Sequence, residues 1–158
     1  MILEIGKKAP VFSLPDQDGK MTDISDFNEK KNIVLYFYPK AMTPGCTVQA
    51  RGVRDHKKEF EKLDTVVLGI SPDECKRLVK FTKKEDLNFV LLSDDDNKVA
   101  KQYGVYGKKK FLGKEYMGIH RTTFIIGKDG YVKYVMEKVN TKTHHDDVID
   151  FIKSKLSS

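Results

Sequence analysis

Cys46 stands in the stretch Lys40-Ala41-Met42-Thr43-Pro44-Gly45-Cys46-Thr47, just after a strand-like run that Pro39 stops. From Cys46 onward the pattern turns helical. A cysteine at a helix start meets unpaired backbone N–H groups and the positive end of the helix dipole, which both favour thiolate. The chemistry this predicts is nucleophilic attack by sulfur. Acidity alone weakens a thiolate as a nucleophile, so an efficient site must also polarise and align its electrophile. Thr43, three residues earlier, offers a hydroxyl that can donate or accept within the same turn. Pro44 restricts the loop, and Gly45 lets backbone approach a small ligand closely. Arg121 is one of four arginines among 29 basic residues, and it heads the apolar run Thr122–Ile126. Its permanent charge and planar fork suit a thiolate and an incoming oxygen together. Two plainer accounts stand beside this one: the cysteine as a small buried filler, and Arg121 as a charge on an edge strand.

Positioning these groups requires a strand before the loop and a second chain segment to deliver the arginine. Asn32–Tyr38 is apolar, aromatic and β-branched on both alternating sets, which predicts a central strand buried on two faces. A helix over Cys46–Leu63 follows, with Ala50, Val53, Phe60 and Leu63 facing inward. Thr65–Ile70 reads as a second buried strand, and Ser71-Pro72-Asp73-Glu74 starts a helix running to about Asp86. A short strand over Phe89–Leu92, a short helix over Asn97–Tyr103, a hairpin over Arg121–Val135 and a terminal helix over His144–Leu156 complete the chain. Asp16–Lys20 is turn chemistry closing a small N-terminal β-hairpin. This order predicts an α/β, thioredoxin-like fold, with a central mixed sheet and helices on both faces, in a single domain over residues 1–158. A doubly wound dinucleotide fold is disfavoured, because no glycine-rich fingerprint follows either buried strand.

Composition narrows the function classes. The 158 residues are 39% hydrophobic and 33% charged, as in a globular domain. The longest apolar run, Ile33–Tyr38, is too short to cross a bilayer, and the first residues lack the pattern of a secretory signal. Cys46 and Cys75 are too few for a disulfide scaffold, so a reducing, cytoplasmic location is expected. A net charge of +6 raises the alternative of a noncatalytic nucleic-acid-binding module. Against it, the basic residues interleave with acidic ones, only Lys108-Lys109-Lys110 cluster, and there is no Trp.

Pro39, Thr43 and Cys46 follow the spacing P-x-x-x-T-x-x-C, which resembles the active-site loop of the peroxiredoxins. The stretches Tyr36–Lys40, Met42–Thr47, Phe12–Asp16, Gly69–Asp73, Leu91–Asp94 and Tyr116–Arg121 are similar to its bacterioferritin comigratory (peroxiredoxin Q) branch. The resemblance runs along almost the whole chain, in order. It implies a cofactor-free, monomeric thiol peroxidase in which Cys46 attacks hydrogen peroxide or an organic hydroperoxide and becomes a sulfenic acid. It further implies that Thr43 and Arg121 hold the peroxide oxygens, that Pro39 shields the thiolate, that Gly45 lines the substrate site and that Gln49 positions Arg121. The expected partners are peroxide and a thiol reductant, thioredoxin-like or small, with no membrane and no nucleic acid.

One departure concerns recycling. Many members of the branch carry a resolving cysteine five residues after the peroxidatic one, where this chain has Arg51. Turnover by an external thiol is therefore expected, with Cys75 the alternative resolving residue. Other members resolve from the same helix near Thr82, two turns further on. Both buried strands should end on one sheet edge, which could bring Cys75 towards the loop. No metal is expected: His144-His145-Asp146-Asp147 has ligand types but no third ligand at metal spacing. His120 is a further candidate neighbour of Arg121.

Overall fold

The hairpin turn forms as its composition predicts. Asp16 accepts the amides of Asp18 and Lys20, and Gly19 takes φ 80°, which glycine adopts without strain. It joins β1 (Ser13–Pro15) to β2 (Met21–Asp23) in antiparallel register. The computed structural model describes residues 2–156. After a 3-10 turn over Ile24–Phe27 come β3 (Asn32–Phe37), α1 (Pro44–Asp55), α2 (Lys57–Lys62), β4 (Thr65–Ser71) and α3 (Cys75–Glu85). The chain continues through β5 (Val90–Ser93), α4 (Lys98–Gln102), β6 (Tyr106–Phe111) and β7 (Lys114–Ile119). It ends with β8 (Thr122–Ile126), β9 (Val132–Met136) and α5 (His144–Lys155).

The main sheet has the order β5-β4-β3-β8-β9, with β3 at its centre. β3, β4 and β5 pair in parallel, while β8 is antiparallel to both β3 and β9. The continuous apolar character of β3 serves two cores. Val34 and Tyr36 pack on one face with Ala50 of α1, Phe81 of α3 and Ile149 of α5. Ile33, Leu35 and Phe37 pack on the other with Phe12, Ile24 and the α4 side chains Val99 and Ala100. A strand covered on both faces has no room for an alternating polar set.

Two features differ from the sequence expectation. The helix anticipated over Cys46–Leu63 is two helices, broken at His56. The His56 imidazole takes the Gly52 carbonyl at 2.8 Å, the acceptor its own amide would use in a continuous helix. The amide turns instead to Val53 O at 3.2 Å. The ribbon of β6 and β7 was also not anticipated. Its two-residue turn has Leu112 at φ 52° and Gly113 at φ 78°, and leucine at such a position gives no turn signal.

Candidate active site

Thr43 is the N-cap of α1, Pro44 its first residue and Cys46 its third. Helix geometry leaves the amides of Gly45 and Cys46 without an intrahelical acceptor, pointing out of the helix start. Thr47 donates the first helical bond, to Thr43 O at 2.9 Å. The Cys46 side chain is nearly enclosed, with the residue 2% exposed.

A forked contact joins the sulfur to a cation that immediately precedes β8. Arg121 Nη2 donates to Cys46 Sγ at 3.3 Å, and Nη1 donates to Gln49 Oε1 at 2.6 Å. Gln49 lies one turn beyond Cys46 and is fully buried, so it fixes the guanidinium from within the core. Its Nε2 has no hydrogen-bond partner among the described residues. Gly45 completes the fit, because a Cβ there would stand 3.4 Å from Arg121 Nη2. Arg121 reaches the site because Thr122, first in β8, pairs with Phe37, last in β3. It does not sit on an edge strand, since β8 is interior.

Thr43 plays a different part from the direct sulfur contact its spacing allows. Its hydroxyl donates to Lys40 O at 2.8 Å, so the proton is committed and the oxygen lone pairs remain as acceptors. Pro39 is half-buried in the bend between β3 and the loop. The polar groups around the site feel their enclosure. Burial pushes the Tyr36 phenol well above its ordinary range, with Tyr38 and Cys46 adding to it. Burial and the Arg121 charge both lower the Lys109 ammonium, which donates to Ile119 O at 2.8 Å. Burial also pulls His144 down to about 3, aided by His145 and Arg121, and its Nε2 lies 2.8 Å from Thr123 Oγ1.

Sequence reasoning missed the strap that shapes the loop. Asp73 Oδ2 accepts the Ala41 amide at 2.7 Å, and Arg77 Nη2 donates to Ala41 O at 2.8 Å. Arg77 Nε pairs with Asp73 Oδ1 at 3.0 Å, and Ser71 Oγ donates to Asp73 Oδ2 at 2.8 Å. Both polar groups of one loop residue are thus held by the start of α3. Beside it, Met42 takes φ 65°, a left-handed conformation that a non-glycine residue holds only when its surroundings insist. The Ser71-Pro72-Asp73 turn was the available signal, but it reads as a helix cap.

Cys75 opens α3 on the expected sheet edge, where it is half-buried and lines a cavity with Phe12, Leu14 and Val99. Both cysteines are free. Arg51 pairs with Glu85 at 2.7 Å while Arg54 Nη1 donates to Glu85 O at 2.6 Å, so this end of α1 is tied to the end of α3. His120 is exposed and lies over Gly107.

The sequence pattern of the AhpC/TSA family matches residues 5–135. The chain is 51% identical over 151 residues to peroxiredoxin Bcp of Escherichia coli, covering 96% of each. It is 45% identical over 153 residues to peroxiredoxin Bcp of Bacillus subtilis, covering 97% of each. The crystal structure of peroxidoxin BcpB from Mycobacterium tuberculosis superposes with a TM-score of 0.86 at 36% identity, covering 98% of this chain and 99% of that one.

Proposed function

The chain belongs to the AhpC/TSA family and is a peroxiredoxin of the Bcp type, a thiol peroxidase, and from that premise we propose how its residues carry the reaction. The Cys46 thiolate attacks one oxygen of a hydroperoxide. An S–O bond forms as the O–O bond breaks, leaving Cys46 as a sulfenic acid and the other oxygen as hydroxide or alkoxide, which takes a proton to become water or alcohol. Arg121 stabilises the thiolate before attack and the charge growing on the leaving oxygen during it. Thr43, with its own proton turned to Lys40 O, accepts the hydrogen of the bound hydroperoxide. Gly45 gives the substrate and the guanidinium their close approach, Gln49 holds Arg121 in place, and Pro39 shields the sulfur from bulk water. The observation that carries this reading is the 3.3 Å contact from Arg121 Nη2 to Cys46 Sγ, braced by Gln49.

For recycling, one external thiol condenses with the sulfenic acid to a mixed disulfide, releasing water. A second thiol then displaces the Cys46 thiolate. The reductant is thioredoxin-like or a small thiol, and the enzyme acts as a monomer in the cytoplasm. Arg51 at the local resolving position, which leaves no thiol to close a disulfide between neighbouring helical turns, supports this route. The alternative, Cys75 as resolving residue, draws on the strap that ties the start of α3 to the loop. Intact mass spectrometry after one equivalent of peroxide, with and without a sulfenic-acid trap, tests both. A trapped adduct on Cys46 is expected. Loss of two hydrogens within the monomer and no adduct would transfer the case to Cys75, and an unreacted Cys46 would overturn the peroxidase assignment.

A further inference from the structure

His145 and Asp146 lack a third ligand in the sequence, and the fold supplies one. His56, at the junction of α1 and α2, stacks face to face on His145 with ring centroids 4.2 Å apart and planes inclined by 29°, so their in-plane lone pairs run side by side and one ring must turn out of the stack for the two to share an ion. One donor atom from each of His56, His145 and Asp146 lies within 4.8 Å of the other two. Neighbouring residues on a helix usually diverge. In the first turn of α5, however, His145 Nε2 comes to 3.4 Å from Asp146 Oδ2. Metal bonds of 2.0–2.1 Å arranged tetrahedrally give a ligand–ligand edge of about 3.3 Å.

Two further observations point the same way. His56 Nδ1 is hydrogen-bonded to Gly52 O at 2.8 Å. A carbonyl only accepts, so Nδ1 carries a proton and Nε2 is the nitrogen left to bind an ion, and an imidazole anchored on a carbonyl is the usual arrangement of a metal-bound histidine. Gly52 makes the room: a Cβ there would collide with the His145 ring. Glycine inside a helix costs about 1 kcal/mol relative to alanine, so this space is kept against local preference. The His145 side chain is 14% exposed and Asp146 63%, which leaves the group open to solvent on one side.

We propose that His56, His145 and Asp146 bind a divalent transition metal ion of the zinc and copper class, with water completing the coordination. Two imidazoles and one carboxylate suit such ions better than magnesium or calcium, which prefer all-oxygen sites. The bound ion ties the α1–α2 junction to the start of α5. The proposal goes beyond the peroxidase reading and does not depend on it.

Zinc titration of the full chain carrying Cys46→Ser and Cys75→Ser, followed by calorimetry, tests the site without competing thiols. One equivalent is expected to bind, with affinity falling at least about tenfold in His56→Ala and in Asp146→Asn. Asp146 is exposed, so its variant tests the ligand without disturbing the core. Cobalt in place of zinc should give the visible absorption of a four-coordinate site, and His145→Ala should abolish it. No saturable uptake, or unchanged affinity in both His56→Ala and Asp146→Asn, would overturn the proposal.

Discussion

Cys46 and Cys75 occupy nearly equivalent places in the fold. Each follows the carboxyl end of a parallel strand, each lies in the first turn of a helix, and each has a proline shortly before it. The shared helix-start electrostatics therefore does not separate them. Their surroundings do. Cys46 is enclosed and faces a guanidinium held by a buried glutamine, whereas Cys75 is half-buried beside Phe12, Leu14 and Val99. A helix start prepares a sulfur, and a second chain segment assigns it work.

Replacing the sulfur itself should have the largest effect. In Cys46→Ser, peroxide consumption with a dithiol supplied should fall to background, a loss on the order of 10⁴-fold or more. Activity retained in that variant would move the reaction to Cys75 and reverse the comparison. Arg121→Ala removes the feature that distinguishes the two sites, and should lower kcat/KM for peroxide by roughly 10²–10³-fold. Alkylation of Cys46 at fixed pH should slow alongside it, approaching the rate at Cys75. A kcat/KM within threefold of the unaltered chain would mean that the helix start suffices after all.

Smaller effects should follow from loosening the loop. Asp73→Asn weakens the grip on the Ala41 amide and the ion pair with Arg77, so urea denaturation should register a loss of about 1–3 kcal/mol. KM for peroxide should rise with it, because Thr43 and Cys46 would be held less well. Normal KM in a destabilised variant would make the strap purely structural. Cys75→Ser should change turnover least, by no more than about twofold, in keeping with a substitution that breaks no buried network. A large loss with a monothiol reductant would show that the second sulfur takes part.

Much of the framework was legible in the sequence because it depends on local signals. The two-faced apolar run of β3, the Asp-Gly turns and the helical spacing of Ala50, Val53 and Phe60 each announce their element. Cys46 and Arg121 were legible as a pair that the fold would bring together. What escaped depends on contacts distant in sequence. The grip of Asp73 and Arg77 on Ala41 spans more than 30 residues, and the stacking of His56 on His145 spans nearly 90. The ribbon of β6 and β7 was hidden for a different reason: Lys108, Lys109 and Lys110 break the apolar alternation that marks a strand. Arg51 was legible as a missing thiol, but its pairing with Glu85 required the end of α3 to be in view.

The reversed direction of β8 has a consequence for how finely the reactive geometry is controlled. Had this strand run parallel to β3, its first residue would have emerged at the opposite rim of the sheet, some five residues or about 15 Å away. Running the other way, it delivers the cation from the rung next to the strand that launches the sulfur-bearing helix. Sulfur and counter-charge are therefore brought in from neighbouring ends of one hydrogen-bonded ladder.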